Sequence, residues 1–453
     1  MSFPAYPAYK VSGVEWLGEI PEHWAVFIAK RMFGNIRESA NPDAEQLAAT
    51  QAYGVIPQKD FMERNDTKVV LALSGTENFR AVKANDFVIS LRSFQGGIEH
   101  SAYDGCVSPA YTVLRRKDER NLNPGYLRYL LKDVSYISAL QSVTTGIREG
   151  RTITYEQFGS LSMPVAPVAE QIQIARFLDH ETARIDALIE EQQRLIELLK
   201  EKRQAVISHA VTKGLDHTVP MKDSGVEWLG EVPAHWRAVR LRHCLVDALA
   251  YGANEPSDEA NLEHPRYIRI TDLNDDGTLS AETYKSLPPD KAEPYMLEQG
   301  DVLFARSGAT VGKSFLYSRD YGPACYAGYL IRARVNKRAL IPMYLWMCTQ
   351  SRQYEQFIGE SNIQATIQNV SAEKYGNMWI ALPEIEEQEK ILAELETQLS
   401  QFESLVETSV GALVLLQERR SALISAAVTG KIDVRGWQPP VSAPTPELAQ
   451  EAV

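Results

Sequence analysis

The chain has 453 residues, too many for a single hydrophobic core, so we expect about two to four domains. Its formal net charge of −12 argues against a simple nucleic-acid-binding protein, yet residues 384–453 alone contribute 12 acidic and 5 basic side chains. The rest is close to neutral and can still carry local basic faces.

The N-terminal residues lack the basic head and apolar run of a signal peptide, and the apolar stretch around Leu413 to Leu416 is too short to span a bilayer. The four cysteines fit neither a CxxC metal site nor a disulfide framework, so we expect buried free thiols in a cytoplasmic protein. They are Cys106, Cys244, Cys325 and Cys348.

A thirteen-residue motif occurs twice, first at residues 12–24 and again at residues 224–236. It reads Ser-Gly-Val-Glu-Trp-Leu-Gly-Glu-Ile/Val-Pro-x-His-Trp, and eleven of the thirteen positions are identical. Such a recurrence indicates a tandem duplication of one unit. The apolar residues favour a helical turn that docks each domain onto its core, and a ligand-binding role for His23 or the Trp pair is the alternative.

The first block after the motif mixes strands and helices. Strands are predicted at residues 69–73, 86–91 and 162–165, and an amphipathic helix at residues 126–140. Polar loops follow the second of these strands and the helix.

A helix of about 40 residues follows the first block, since no Gly or Pro occurs between Val168 and Gly214. Its apolar residues recur at alternating three- and four-residue steps, a heptad pattern that requires another long helix as partner. The seam comprises Ile185, Leu188, Leu195, Leu199 and Val206.

The second block repeats this order. Strands are predicted at residues 267–270, 301–306 and 378–383, a loop at residues 307–312 and a helix at residues 343–358. A second long helix from Glu386 to Val428 repeats the seam 217 residues later, with Phe402, Leu405, Leu416 and Leu423.

The predicted fold class is α+β, a tandem duplication of a mixed α/β domain followed by a long helix. The two helices are expected to pair as an antiparallel coiled coil with pseudo-twofold symmetry. The predicted parts are a first domain at residues 1–165, its helix at 166–216, a second domain at 217–383, its helix at 384–430 and a disordered Pro-rich tail at 431–453.

No convincing catalytic or metal site emerges from the residues. The segment Ser307 to Ser314 ends like a phosphate-binding loop, but it lacks the first Gly of that motif and strand-like residues follow it. A strand–turn–strand with a polar tip is favoured over a nucleotide site. His243-Cys244 has no metal-ligand partners nearby in sequence.

Polar and basic side chains of the types that bind DNA occupy loop positions in both blocks. In the first block these candidates are Arg92, Ser93, Gln95, Thr144, Thr145, Arg148 and Arg151; in the second they are Arg269, Arg306, Ser307, Thr310, Lys313, Asn362, Gln364, Thr366 and Gln368. Any one of them can be a solvated loop residue, so the argument rests on their comparable places in the two halves.

Three features of the sequence resemble the specificity subunits of type I restriction–modification enzymes. They are the duplicated motif, the segment Phe304 to Lys313, and the Pro-x-x-x-Glu-Gln start of the helix at Pro383 to Gln388. The resemblance covers roughly residues 10–436.

This resemblance implies a non-catalytic subunit whose two target-recognition domains each read one half of a split DNA site. The helices would set the unread spacer and bind two methyltransferase subunits, and two restriction subunits would complete the complex. S-adenosylmethionine would be bound by the methyltransferase subunits, and ATP and Mg would act in the restriction subunits, with no cofactor in this chain. The alternatives are a coiled-coil protein-interaction scaffold without a DNA role and a nucleotide-dependent enzyme.

Overall fold

The computed structural model describes residues 3–41, 43–65, 78–90, 97–143, 153–256, 260–274, 277–362 and 369–440. The chain forms two compact units, one of residues 1–192 with 411–453 and one of residues 193–410. Each unit therefore combines one block with part of each long helix.

The first unit begins with a hairpin that holds the repeated motif, and most of its strands pair in short antiparallel ladders. Its elements are β1 (Tyr9–Val11), β2 (Glu19–Pro21), β3 (Ala25–Ile28), α1 (Ala29–Met32), β4 (Phe33–Ile36), β5 (Leu47–Thr50), β6 (Gly54–Pro57), α2 (Gln58–Asn65), β7 (Arg80–Val82), β8 (Phe87–Ile89), β9 (Ile98–His100), β10 (Gly105–Val107), β11 (Thr112–Arg116), α3 (Pro124–Leu130), α4 (Val134–Ser142), α5 (Tyr155–Ser160) and β12 (Ser162–Val165).

The long helix α6 (Val168–Lys213) runs from the first unit into the second, whose elements follow a similar but shorter order. These are β13 (Met221–Asp223), β14 (Glu231–Pro233), β15 (Arg237–Arg240), β16 (Ala250–Tyr251), β17 (Arg266–Ile268), α7 (Pro289–Ala292), β18 (Val302–Ala305), β19 (Ser314–Leu316), β20 (Ala324–Tyr326), β21 (Leu330–Ala333), α8 (Pro342–Cys348), α9 (Arg352–Asn362), α10 (Ala372–Gly376), β22 (Trp379–Leu382) and the long helix α11 (Ile385–Val428).

Each unit contains a four-stranded antiparallel sheet, with order β4-β11-β8-β9 in the first and β16-β21-β18-β19 in the second. Their registers correspond, since Val113 pairs with Ile36 and Val88, and Arg332 pairs with Ala250 and Leu303. The α+β duplication predicted from the sequence is confirmed.

Both long helices end in the same way. The glycines that follow them, Gly214 and Gly430, have φ values of 75° and 74°. This left-handed conformation ends a helix and is unfavourable for residues with a side chain. The predicted long helices are confirmed with bounds close to those expected.

Within the first unit the two helix segments run antiparallel. Gln173 Nε2 donates to the Val434 carbonyl beyond the end of α11 at 3.2 Å, while Arg420 Nε donates to Asp186 Oδ1 at 2.7 Å. Residue numbers therefore rise along α6 while they fall along the neighbouring part of α11. In the second unit Gly214 faces Glu387, and Val206 lines a cavity with Leu395, which gives the same direction.

The predicted seam residues differ in burial. Ile185 is buried at 4% exposure, whereas Leu188, Leu195 and Leu405 are 44%, 41% and 52% exposed. The remaining five are half-buried, namely Leu199, Val206, Phe402, Leu416 and Leu423. The middle parts of both helices therefore expose apolar surface in the isolated chain.

Two helices predicted as continuous are each broken in two, so that part of the prediction is wrong. Asp133 caps α4 by accepting from the Tyr136 amide at 3.0 Å, which separates it from α3. Between α8 and α9 the hydroxyls of Thr349 and Ser351 donate to main-chain carbonyls three residues back, each at 2.6 Å. Short polar side chains that bind the local backbone favour such interruptions.

The segment after α11 is folded at its start, although a disordered tail was predicted from residue 431. Val434 is fully buried, and the Trp437 ring lies 5.2 Å from that of Phe177 in a T-shaped contact. The prolines that follow Gln438 indicated disorder, but they come after the packed residues Val434 and Trp437. Residues 441–453 lie outside the described residues.

The helix α11 is long and apolar enough, by length and composition alone, to cross a membrane. Its ends nevertheless belong to folded cores, through Ile391 and Leu395 in the second unit and Ala427 and Val428 in the first.

Candidate nucleic-acid interface

The repeated motif fastens each block to the start of a long helix. Trp24 and Trp236 are fully buried. His23 Nε2 lies 2.8 Å from Glu170 Oε2, and His235 Nε2 lies 2.9 Å from Glu387 Oε2. The motif forms a hairpin with a tight turn, and its histidines serve a structural contact in both copies.

The glutamine after each of these glutamates is fully buried and bonded to the backbone in the same way. Gln171 Oε1 accepts from the Asn123 amide at 2.8 Å, and Gln388 Oε1 accepts from the Ile341 amide at 2.9 Å. Each Nε2 donates to two carbonyls of its own unit. These bonds satisfy buried backbone groups and fix the block on its helix.

A buried carboxylate–guanidinium pair supports the central strands of each four-stranded sheet. Arg115 donates to both oxygens of Asp86 at 2.9 and 2.8 Å, and Arg334 donates to both oxygens of Asp301 at 2.8 Å. The two aspartates are 2% and 1% exposed. Hydrogen bonds to the aspartates raise the pKa of Arg115 and Arg334, so both guanidiniums stay charged.

The loop from Arg306 to Lys313 joins β18 and β19 at one edge of the second sheet. It contains a short 3-10 turn at Gly308–Thr310, and Thr310 Oγ1 donates to the Ser307 carbonyl at 3.5 Å. A strand follows it in place of the helix that a nucleotide-binding loop requires. The segment is the strand–turn–strand that the sequence favoured.

Two neighbours that were not predicted from the sequence hold Arg306 in place at this edge. Its guanidinium lies 4.7 Å from the centre of the Tyr251 ring, and its Nε donates to Asn369 Oδ1 at 3.4 Å. The Tyr251 hydroxyl in turn accepts from the Ala372 amide at 3.0 Å. Arg306 is therefore oriented at a half-exposed position from which it can reach a ligand.

Beside Arg306 lies a cavity of about 520 Å³, lined by Asn254, Arg269, Thr271, Tyr329 and their neighbours. Tyr329 is 61% exposed, and its carbonyl accepts from the Arg306 amide at 3.0 Å. The cavity and the Arg306 loop thus adjoin on one face of the second unit.

Arg269 has two of its three nitrogens, Nε and Nη2, bonded inside the protein. Its Nη2 donates to Asp272 Oδ1 at 2.9 Å and to the Thr283 carbonyl at 2.8 Å. Asp272 is 1% exposed, so this pair stabilises the turn after β17. Lys313 Nζ donates to the Leu273 carbonyl at 3.4 Å, close to the same turn.

Most of the remaining sequence candidates fall in parts of the chain that the structure does not describe. All seven of the first block, together with Gln364, Thr366 and Gln368 of the second, lie outside the described residues. Asn362 is the last residue of α9. The predicted strand at residues 69–73 also falls outside the described ranges.

Comparison with known proteins bears on this architecture. Residues 254–408 match the family model of the type I restriction modification DNA specificity domain. The chain is 22% identical over 312 residues to the Escherichia coli EcoBI specificity subunit, covering 67% of this chain and 65% of that protein. It is 24% identical over 381 residues to the EcoKI specificity subunit of Escherichia coli strain K12, covering 79% and 76%.

Solved structures share the fold at low sequence identity. A chain from a structure of complex assembly and conformational transition in the type I R-M system superposes with a TM-score of 0.70 at 16% identity, covering 90% of this chain and 98% of that one. The HsdS subunit from Thermoanaerobacter tengcongensis gives a TM-score of 0.51 at 17% identity, covering 91% and 98%.

The predicted resemblance to type I specificity subunits is confirmed. The fold seen here is that of the HsdS structures, with two mixed units and two long helices.

The four thiols of this specificity-subunit fold are free, and burial raises the pKa of each of them. The shift brings the pKa of Cys325 to about 12, and it is also upward for Cys106, Cys244 and Cys348. A thiolate is therefore disfavoured at every one of these positions. Over the described ranges, no group of three or more His, Cys, Asp or Glu is placed to hold a metal ion.

The surroundings of His100, at the end of β9, predict that the stability of the first unit falls in acid. Burial, followed by the charges of Arg128 and Arg116, lowers its pKa from 6.5 to about 4. A lowered folded-state pKa means that stability is fully present above pH 6.5 and is lost as the pH falls toward 4. Over this interval His100 is expected to account for about 3 kcal/mol of lost stability.

This expectation is tested by urea unfolding of the wild type and His100→Gln at pH 7, 5 and 4. The variant should lose less stability on acidification. Parallel pH profiles would contradict the role assigned to His100.

Proposed function

We propose that this chain is the DNA specificity subunit of a type I restriction–modification complex. The observation that carries the proposal is the same four-stranded sheet built twice, with the polar Arg306 loop at one edge of the second copy. Residues 254–408, which match the DNA specificity domain, include the Arg306 loop, the adjoining cavity and Asn369.

Each recognition domain, residues 1–165 and residues 217–383, reads one half of a bipartite asymmetric site. The two blocks share their framework contacts, as the paired Gln171 and Gln388 illustrate, but their loops differ in sequence. A shared framework with different loops suits two domains that recognise different DNA sequences. The sixteen loop residues predicted from the sequence are proposed DNA contacts, with Arg306 the best supported. Arg269 also holds the turn after β17 through Asp272.

The helical parts, residues 166–216 and 384–430, set the unread spacer and bind the partner subunits. Both helices continue from one unit into the other. Their middle parts expose leucines and valines that a partner would cover, among them Leu195 and Leu198 on α6 and Val414 and Leu415 on α11.

The proposed assembly contains two methyltransferase subunits and two restriction subunits on double-stranded DNA in the cytoplasm. This chain is non-catalytic, and S-adenosylmethionine, ATP and Mg belong to the partners. Because the recognition blocks are near neutral, the partners are expected to supply much of the phosphate neutralisation that gives affinity. Equal DNA affinity of the chain alone and of the complex would contradict this.

The function is tested by co-expressing the chain with its modification subunits and sequencing adenine methylation across the host genome. The expected result is one asymmetric site of two short half-sites at a fixed spacing, absent when this chain is omitted. Methylation that is independent of the chain would contradict the proposal, and assembly without DNA binding would indicate a scaffold.

Arg306→Ala is expected to relax the preference at one base pair of one half-site, at a cost of about 1–3 kcal/mol against the wild-type site. The reason is that an oriented guanidinium gives a bidentate contact to a guanine edge. Binding of the complex to a set of singly substituted duplexes measures the change. The matched control is Arg319→Ala, an exposed arginine in the turn at the opposite end of β19, which should leave the preference unchanged.

A further inference from the structure

Arg37 follows the edge strand β4 in the first unit and is exposed. Because Ile36 and Ala250 hold the same register position, Arg37 occupies the place that Tyr251 has in the second unit. Tyr251 contacts Arg306 at the sheet edge where β18 ends and β19 begins. Arg37 therefore lies at the edge where β8 ends and β9 begins.

Arg80, the first residue of β7, lies beside this segment. It pairs with Ser39 in an isolated antiparallel bridge, and the Ala81 amide donates to the Glu38 carbonyl at 2.9 Å. The side chain of Arg80 is half-buried. Burial, followed by the charge of Arg37, lowers the Arg80 pKa, as expected for two close guanidiniums.

The nearest acidic residue in sequence is engaged elsewhere. Glu38 lies between Arg37 and Ser39, yet its carboxylate accepts from Arg115 Nη1 at 3.4 Å. Among the carboxylates that the structure describes, none forms an ion pair with Arg37 or Arg80. Two adjacent cations without a carboxylate favour an anion with several oxygen acceptors.

We propose that Arg37 and Arg80 bind the phosphodiester backbone of DNA at the recognition edge of the first unit. This inference rests on the proposed function. It adds that the two arginines position the duplex and carry no base preference, in contrast to Arg306 in the second unit. The two recognition domains thus have different roles at one equivalent position. Arg37 binds a phosphate in the first domain, whereas Tyr251 orients Arg306, which contacts a base, in the second.

The test is the salt dependence of DNA binding by the complex with its modification subunits, using the cognate duplex and a duplex with both half-sites scrambled. Each lost phosphate contact reduces the slope of log K against log salt by about 0.9. Arg37→Ala with Arg80→Ala should lower the slope by about 2 and weaken binding to both duplexes by a similar factor, roughly tenfold. Arg37→Ala alone should lower the slope by about 1.

Two controls isolate the effect. Arg120→Ala removes an exposed arginine beyond the opposite end of β11 and should leave the slope unchanged. Replacing both arginines by lysine should retain the wild-type slope of log K against log salt. An unchanged slope in the alanine variants, or a loss confined to the cognate duplex, would overturn this inference alone. Absence of DNA binding by the wild-type complex would instead overturn the proposed function, and this inference with it.

Discussion

Asp301→Ala is expected to lower the free energy of unfolding of the second unit by about 3–5 kcal/mol, because it leaves the partly buried Arg334 guanidinium without its main counter-charge. Asp301 also accepts from the Glu298 amide at 2.8 Å, so the turn before β18 loses a bond as well. For a unit of this size the transition temperature should fall by roughly 10 °C. Differential scanning calorimetry measures the shift.

The matched control is Glu298→Gln, which alters a second carboxylate on the same arginine. Glu298 Oε1 lies 2.6 Å from Arg334 Nη1, but its side chain is 64% exposed. Exposed ion pairs contribute about 0–1 kcal/mol, so the control should change the transition little. Equal losses in the two variants would refute the claim that the buried carboxylate is the one that matters.

Inserting four residues after Leu195 in α6, and the same four after Ala412 in α11, is expected to lengthen the spacer of the methylated site while both half-sites persist. Four helical residues add about 6 Å, which corresponds to about two base pairs. Four residues are close to one helical turn, so the faces of each helix are largely retained. Methylome sequencing gives the half-sites and the spacer together.

A control insertion of the same four residues after Asp216 enlarges an exposed loop beyond the end of α6. It should leave the spacer unaltered. An unaltered spacer in the helix insertions, with methylation retained, would refute the spacer role of the helices.

The duplication, both long helices and four second-block strands (β17, β18, β19 and β22) could be predicted from the sequence. Local patterns determine them, since the motif recurs and heptad spacing persists over many turns. The break at Asp133 was missed because a capping side chain within an apolar pattern leaves the helical periodicity intact. The folded segment after α11 was missed because Val434 and Trp437 are buried by residues far away in sequence.

The candidate site was predictable only in part. Arg306 and Lys313 were found because a polar loop follows a strongly apolar strand. Tyr251 lies 55 residues before Arg306 and carries no sign in the sequence that it packs on that guanidinium. The pairing of Arg269 with Asp272 was missed because it depends on a turn whose geometry the sequence does not reveal.

The division of the chain has a consequence for biosynthesis. The second unit is one continuous segment and has all of its residues once Val410 has been made. The core of the first unit includes Ile424, Val428 and Val434. The N-terminal block can therefore complete its core only after the last part of the chain has been synthesised. On the ribosome, the block that is synthesised first is therefore completed last.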